Sequence, residues 1–472
     1  MSEAAWTPME ALGDVLSQAD AMELASLPVN IAGEDPVLPT PYRVGTAGAA
    51  TMAATGLAAA DLWRIRTGRS QTVDVNLRAA AVSLRSSKYM LIDGKPLNRE
   101  WEPLSGFYRT RDDRRVFLHT NFQNLRDRAV AILNASVDRQ SVAAACLNWD
   151  GLALETALQE GGACAALVRT EAEWQAHPQA EAVRGIPALE IVKIGDAPPQ
   201  PLPPGDRPLA GIRVLDMTRV IAGPSCARTL AEHGADVLKV SRADLPDSGL
   251  LELDTGIGKL ATHLDLRDPA QNETFRGLLR DADVFSQSYR PGTLAARGYA
   301  PEDVAAIRPG IVCATLSAWG HVGPWAMRRG YDTIVQAATG MSDVSGCSDN
   351  PRHLPVSAID YVSGALMAFG VMVALARRAR IGGSWLVRAS LASSGEWIAG
   401  LGKADAAIYK SLPAELPESE LAPLFAEMPA YVGMLRYLAP VVRMSETPAR
   451  WTRPPVALGT HAPAWPEISS AG

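Results

Sequence analysis

The sequence has few of the residues that mark secreted, metal-binding or nucleic-acid-binding proteins. Its five cysteines are odd in number and scattered, which argues against a disulfide framework and indicates reduced thiols. The seven histidines are isolated, so Cys/His pairs with metal-ligand spacing are missing and no metal site is predicted. A formal net charge of −6 without a basic patch argues against nucleic-acid partners.

Targeting and membrane-spanning patterns are missing as well. The N-terminal stretch MSEAAWTPMEALGDV is acidic and has neither the basic nor the apolar region of a signal peptide. Of the two longest apolar runs, 46–63 is rich in Ala, Gly and Thr, and 364–376 is too short to span a bilayer. We therefore predict a cytoplasmic protein that has no membrane partner.

The composition is that of an ordinary globular chain. With 472 residues, 47% of them apolar and 20% charged, it can form two or three domains with a substantial core. Residues 196–208 contain six prolines, which predicts a semi-rigid linker. The segment before it, 85–195, carries a hairpin pattern and Ala/Leu-rich helices, which predicts a small α+β domain.

After the linker, strand and helix patterns alternate. Strands are predicted at 212–216, 236–240, 283–285 and 311–317, with helices between them. This order is typical of an α/β fold with a doubly wound, Rossmann-like parallel sheet, in which ligands bind at the carboxyl ends of the strands. The first strand is not followed by a GxGxxG motif, and Leu260 stands where a P-loop needs Ser or Thr, so neither nucleotide motif is assigned.

Residues 46–77 and 360–391 are two copies of one stretch, aligned without a gap at an offset of 314 residues. Such a match indicates an internal duplication. The identical pairs include Ala54/Ala368, Gly56/Gly370, Ala60/Ala374, Arg64/Arg378, Arg66/Arg380, Gly68/Gly382, Ser70/Ser384, Val73/Val387 and Leu77/Leu391.

The copies differ at their first residue, Thr46 in one and Asp360 in the other. From the pattern alone, Asp360 is interpreted as the N-cap of a buried helix that starts at about Ser363. A single carboxylate at the start of a buried helix destabilises the fold unless it caps the helix, pairs with a cation or takes part in a reaction. Because Thr would also serve as a cap, the carboxylate of Asp360 invites a second hypothesis, that it is a nucleophile.

Several motifs after the linker resemble the family III CoA-transferases of the CaiB/BaiF type. They occur in the family's order at 208–240, 259–266, 282–284, 289–292, 317–324 and 360–364. In the first part of the chain, 46–77, 105–118 and 173–179 resemble the later part of the same family, and 441–448 together with 458–461 resembles its closing segment. The chain thus looks like a fusion of two family members, of which the first lacks its N-terminal part and the second lacks its small domain.

The resemblance divides the chain into five predicted parts. They are a partial repeat at 1–84, the small α+β domain at 85–195, the linker at 196–208, the CoA-binding Rossmann-like domain at 209–400 and a family-like tail at 401–472. Members of the family form interlocked dimers, so a homodimer is expected.

The resemblance also implies an activity, the transfer of CoA between an acyl-CoA and a small carboxylic acid. Asp360 matches the family's nucleophile, and a desolvated carboxylate can attack a thioester. Backbone N–H groups near Gly364 are expected to stabilise the oxyanions. CoA would be a substrate and not a permanently bound cofactor. The positions implied to bind it are Val220, Ile221, Arg242, Leu264, Arg267, Ser288, Tyr289 and Arg297.

Two alternatives remain at this point. One is an α-methylacyl-CoA racemase, which resembles the chain equally in the sheet but needs a His where Gly330-Tyr331-Asp332 has Tyr331. A tyrosine with a pKa near 10 is a poor base, although His321 is close in sequence. The other is a non-catalytic CoA-binding or structural protein, suggested by Thr46 and the rearranged order.

Overall fold

The structure is a computed structural model, and it describes residues 5–97, 102–245 and 248–466. The first part contains the first copy of the repeat, and its longest element is a buried helix, α2. Its elements are α1 (Pro8–Gln18), β1 (Val29–Ala32), α2 (Val44–Thr67), β2 (Val73–Asn76), α3 (Leu77–Ser83), β3 (Leu91–Ile92) and β4 (Lys95–Pro96).

A small α+β unit follows. Its antiparallel sheet has the order β5-β6-β7, and helices α4 to α6 cover it with their own apolar core. The elements from here to the linker are β5 (Gly106–Arg109), β6 (Arg115–Leu118), α4 (Gln123–Leu133), α5 (Arg139–Cys146), α6 (Gly151–Glu160), β7 (Ala165–Leu167), α7 (Glu171–Gln175), α8 (Pro178–Arg184) and β8 (Leu189–Gly195).

The large sheet comes after residues 196–208. Its elements are β9 (Arg213–Met217), α9 (Ala222–Glu232), β10 (Asp236–Ser241), α10 (Leu250–Thr255), β11 (Lys259–His263), α11 (Pro269–Arg280), β12 (Val284–Gln287), α12 (Pro301–Ile307), β13 (Val312–Ser317), α13 (Asp332–Ala338), α14 (Met341–Ser345), α15 (Ala358–Ile381), β14 (Ser384–Ser390) and α16 (Leu391–Gly400). The C-terminal segment adds α17 (Ala406–Tyr409), α18 (Glu418–Leu421), β15 (Phe425–Ala430), β16 (Gly433–Leu438) and β17 (Arg443–Met444).

The predicted doubly wound sheet is confirmed. The strand order is β11-β10-β9-β12-β13-β14-β8, and the six strands β9 to β14 run parallel to one another. Strand β8, which comes from the segment before the linker, closes the sheet antiparallel to β14. Helices and strands alternate because each parallel crossover needs a helix that returns the chain to the same end of the sheet.

The two copies of the repeat adopt the same structure. Helices α2 and α15 both have 24 residues, both end before a glycine, and each leads into a strand and a further helix. The two long helices pack against each other, since the Ala- and Gly-rich surface of α2 lets the backbones approach. Their N-termini correspond at the same offset of 314 as the sequences.

The two parts of the chain also exchange strands. Strand β8 of the first part joins the large sheet. In return, β17 from the C-terminal segment pairs antiparallel with β2, in a three-stranded sheet of order β1-β2-β17. The parts are therefore interlocked within one chain, with the small α+β unit of the first placed beside the large sheet of the second.

Helix α15 is buried along most of its length. It is the one helix in the described part of the chain that is long and apolar enough to cross a membrane, and its apolar stretch is completely covered by protein. Such coverage is typical of the core helix of a folded domain. Its C-terminal Arg378 is buried too, and its guanidinium donates to Asp283 at 2.8 Å.

Candidate active site

A crevice opens where the strand order of the large sheet reverses. From β9 the chain proceeds through β10 and β11 on one side, and through β12, β13 and β14 on the other. The turns after β9 and β12 therefore diverge and leave a cleft, the usual ligand position in doubly wound sheets. The cavity measures about 820 Å³. Its lining comprises 122–125, Asp127, 219–222, 243–245, 288–291, Thr293, 316–318, 328–331, Asp360 and Leu391.

The structure brings together about half of the residues that the sequence implied. Those in the lining are Val220, Ile221, Ser288, Tyr289 and Asp360. Those outside it are Arg242, Leu264, Arg267 and Arg297.

The turn between β9 and α9 forms one wall of the crevice. Val220 there has a φ of 75°, which is rare for a β-branched residue and costs about 1–3 kcal/mol. The backbone N–H of Arg219 donates to Ser288 Oγ at 3.1 Å, which joins this turn to the one after β12. Strain that the surrounding structure maintains at a cleft is typical of ligand-binding sites.

A buried ion pair supports the same turn from below. Asp216 at the end of β9 accepts hydrogen bonds from the backbone and hydroxyl of Thr218. The ammonium of Lys259 lies 2.9 Å from the Asp216 carboxylate and donates to the carbonyl of Pro224 at the same distance. Since both charged side chains are buried, each depends on the other, and the pair fixes the entry into α9.

Two of the three arginines predicted to contact phosphate, Arg242 and Arg267, are engaged with carboxylates. Arg242 donates to Asp244, and Arg267 donates to Asp265 at 2.6 Å and to Asp244 at 3.4 Å. The hydrogen bonds from Arg267 lower the pKa of Asp265 to about 2. Asp244 belongs to the cavity lining, so this cluster lies at the rim of the crevice.

Asp360 enters the crevice from the first turn of α15. The interpretation of Asp360 as an N-cap is wrong, because the helix begins two residues earlier, at Ala358, and its N-cap position is Ser357. Asp360 is 7% exposed and belongs to the cavity lining. A carboxylate in the first turn is stabilised by the helix dipole and by the unpaired N–H groups of that turn.

A second carboxylate performs the capping. Asp332 at the start of α13 is buried, and it accepts a hydrogen bond from the backbone N–H of Asp360 at 3.0 Å. Burial raises the pKa of Asp332 to about 6, while backbone hydrogen bonds from Asp360 and Ile359 act to lower it. Asp332 therefore holds the backbone of Asp360 in place from a neighbouring element.

The first copy of the repeat contains the same arrangement without the second acid. The buried carboxylate of Asp35 accepts a hydrogen bond from the backbone N–H of Thr46 at 2.6 Å. Burial raises the pKa of Asp35, and hydrogen bonds from Thr46 and Gly45 act to lower it. Capping by a buried carboxylate thus belongs to both copies, whereas the carboxylate in the first turn belongs to α15 alone.

Gly364 allows α15 to pack closely against α9. The prediction that N–H groups near it stabilise oxyanions is wrong, because Gly364 lies inside α15, where these groups bond within the helix. A Cβ atom at Gly364 would lie 2.5 Å from the carbonyl oxygen of Ala222, so the glycine lets α15 approach the first turn of α9. The N-termini of both helices therefore meet at the crevice.

The small α+β unit contributes an aromatic stack. The centroid of the His119 ring lies 4.1 Å from that of Tyr331 at an interplanar angle of 15°. The Phe122 ring lies beside this pair, 5.9 Å from Tyr331 and 6.5 Å from His119. Burial raises the pKa of Tyr331 above its ordinary value of 10, so its hydroxyl stays protonated. His321, by contrast, lies outside the crevice lining, 3.4 Å from Glu190.

Sequence reasoning missed the arginines that line the crevice. They are Arg219, Arg290, Arg328 and Arg329. Burial lowers the pKa of Arg329, and the neighbouring charges of Arg290 and Arg128 lower it further. Cations that face one another in a half-buried cleft predict an anionic ligand. The signal was present in the sequence, since Arg219, Arg290 and Arg329 adjoin the motifs already noted.

The chain is an α/β protein with a Rossmann-like sheet and an arginine-lined crevice that contains a buried carboxylate. The model of CoA-transferase family III matches residues 14–201 and 209–419. The chain therefore belongs to this family, in two segments that meet at the proline-rich stretch.

Several curated relatives match part of the chain. The acetyl-coenzyme A transferase nodX of Hypoxylon pulicicidum is 35% identical over 210 residues, which are 43% of this chain and 35% of the relative. The succinyl-CoA:glutarate CoA-transferase of Mus musculus is 31% identical over 201 residues, which are 40% of this chain and 46% of the relative. The chain thus spans less than half the length of these curated relatives.

Solved structures give partial matches. The crystal structure of the hypothetical protein Rv3272 from Mycobacterium tuberculosis is 31% identical, covering 42% of this chain and 58% of that chain at a TM-score of 0.38. A CaiB/BaiF family protein from Brucella suis is 26% identical, covering 49% and 65% at the same TM-score of 0.38.

The paired capping carboxylates provide a test of the helix arrangement. Asp332→Ala and Asp35→Ala each leave buried N–H groups without an acceptor, so each should lower the free energy of unfolding by about 1–2 kcal/mol. Urea denaturation at pH 7.5 measures both, with the exposed Asp196→Ala as control. Unchanged stability in both variants would show that these carboxylates do not hold the helices.

Proposed function

We propose that this protein transfers CoA from an acyl-CoA to a carboxylic acid, with the Asp360 carboxylate as the covalent nucleophile. The observation that carries the proposal is the position of Asp360, at the N-terminus of a buried helix and in the lining of an arginine-rich crevice. Membership of the family supports the same activity.

CoA would lie along the crevice. Its phosphates would meet the arginine side chains of the lining, of which Arg329 and Arg290 are neighbours. Phosphate oxygens form strong, charge-assisted hydrogen bonds with guanidinium groups. The thioester end would then extend to the first turn of α15. CoA is a substrate in this account and leaves with the product.

The reaction proceeds through two anhydrides, with one aspartyl-CoA thioester formed between them. The Asp360 carboxylate attacks the thioester carbonyl of the donor, forming a mixed anhydride and releasing CoA thiolate. The thiolate attacks the aspartyl carbonyl, which gives an aspartyl-CoA thioester and frees the donor acid. The acceptor carboxylate attacks this thioester to form a second anhydride, and the thiolate then attacks the acceptor's acyl carbon. Each nucleophile is already an anion, so no proton is transferred.

The surroundings of Asp360 suit these steps. Negative charge that develops on its carbonyl oxygen lies at the positive ends of two helices, α9 and α15. The protonated hydroxyl of Tyr331, also in the lining, can donate a hydrogen bond to such an oxygen.

The two alternatives receive less support. A racemase needs a base in place of Tyr331, and the pKa of this phenol is raised further by burial. A purely structural role would not need Asp360, because Asp332 and Asp35 perform the capping in both copies. A homodimer and a cytoplasmic location stay predictions from the resemblance and the composition.

The nucleophile is tested by Asp360→Asn. The amide cannot form the anhydride, so CoA exchange over a panel of acyl-CoA donors and acceptor acids should fall by at least about 10³-fold. Thr46→Ala, at the equivalent position of the first copy, should exchange at the wild-type rate. Exchange that survives Asp360→Asn would refute the covalent role, and a wild-type protein that exchanges CoA with no acid would refute the function.

The anion site is tested by Arg329→Gln. Loss of one charge-assisted hydrogen bond to phosphate should raise the Kd for CoA about tenfold, and should weaken the dependence of binding on salt. Calorimetric titration with CoA measures both effects. The exposed Arg352→Gln, outside the cavity lining, serves as control. An unchanged Kd in Arg329→Gln would place the phosphates elsewhere.

A further inference from the structure

A second cavity of about 220 Å³ adjoins the crevice. The two share Leu316 and Ser317 at the end of β13, and Tyr289 to Pro291 in the turn after β12. The second cavity lies over the opposite side of that turn, above the carboxyl ends of β13 and β14. A ligand held there would be adjacent to the crevice that contains Asp360.

The floor of this cavity is a row of polar residues that crosses the sheet. Gln287 of β12, Thr315 of β13, Arg388 of β14 and Glu190 of β8 are successive partners in the strand register. All four belong to the cavity lining. Since partnered residues on adjacent strands point to the same face, the row presents its side chains together.

Arg388 has an unusual place in this row. It is half-buried, and within residues 5–97, 102–245 and 248–466 its guanidinium makes neither a hydrogen bond nor an ion pair. Glu190, its neighbour in the register, lies against His321 instead, at 3.4 Å. A half-buried guanidinium in a cavity is stabilised when a carboxylate binds it.

The internal repeat supplies a comparison. The position of Arg388 corresponds to Asp74 in the first copy, which lines a cavity of about 370 Å³ at the carboxyl ends of β1 and β2. The Asp74 carboxylate accepts a hydrogen bond from the side chain of Asn30 at 3.2 Å. The charge at this position is therefore reversed in the second copy of the repeat, where Arg388 lines a cavity that adjoins the crevice containing Asp360.

We propose that the second cavity is the acid subsite, and that it selects short acids with a second carboxylate. One carboxyl group would react at Asp360, and the distal carboxylate would bind Arg388. Apolar residues in the lining, among them Leu294, Tyr299 and Pro301, would contact the methylene groups between them. The cavity is smaller than the roughly 300–1,000 Å³ of drug-sized sites, which suits a chain of a few carbons. This inference rests on the proposed function.

The proposed acid subsite is tested by measuring which acceptor acids the protein prefers. Exchange is measured with succinate and with butyrate, which has one carboxylate and the same number of carbons. In Arg388→Gln the ratio of kcat/KM for succinate to that for butyrate should fall at least about tenfold, and Arg388→Lys should restore part of it. Arg443→Gln, which removes a cation from the cavity of the first copy, should leave the ratio unchanged. An unchanged ratio in Arg388→Gln would overturn the proposal.

Direct binding separates this inference from the function itself. Glutarate and succinate should bind the wild-type protein in a calorimetric or NMR titration, and should bind Arg388→Gln at least about tenfold more weakly. That outcome supports the subsite even if no exchange occurs, in which case the catalytic proposal alone fails. Equal binding by the two proteins would overturn the subsite whether or not exchange occurs.

Discussion

The hydrogen bond between the Asp332 carboxylate and the first turn of α15 is the contact on which the site depends. A helix buried along its length needs partners for the N–H groups of its first turn. Water cannot supply them in the interior, so a carboxylate from α13 does so at Asp360. With its backbone held in this way, Asp360 forms part of the crevice lining, and Gly364 lets α15 pack against the first turn of α9.

The duplicated stretch separates what a fold needs from what a reaction needs. Both copies keep the long helix, the capping carboxylate and the following strand, because these bury apolar surface and satisfy backbone groups. Among the positions at which they differ, Thr46 corresponds to Asp360 and Asp74 corresponds to Arg388. The second copy therefore carries a carboxylate and a guanidinium at the positions where the first carries a hydroxyl and a carboxylate.

Much of the fold was predictable from the sequence. Strand and helix patterns after the linker gave the doubly wound sheet, since alternation of apolar strands with helices leaves few other topologies. The start of α15 was misplaced because Asp is a good N-cap in local sequence, and the true capping group, Asp332, lies 28 residues away.

The site was predictable only in part. Motif residues in the turns after β9 and β12 do reach the crevice, as Val220 and Tyr289 show. The stacking of His119 on Tyr331 could not be foreseen, since it joins residues from two parts of the chain whose docking is a tertiary property. The side chains of Arg242 and Arg267, which were predicted to bind phosphate, instead form ion pairs with Asp244 and Asp265. A match to a sequence motif does not reveal such local ion pairs.

Oxygen-18 transfer tests the central claim most directly. The acceptor acid is labelled in its carboxylate, and the protein is digested after turnover with an unlabelled acyl-CoA. Because the anhydride oxygen stays with the aspartate when CoA leaves with the acyl group, the peptide containing Asp360 should gain 18O. Exchange that proceeds while this peptide stays unlabelled would contradict a covalent role for Asp360.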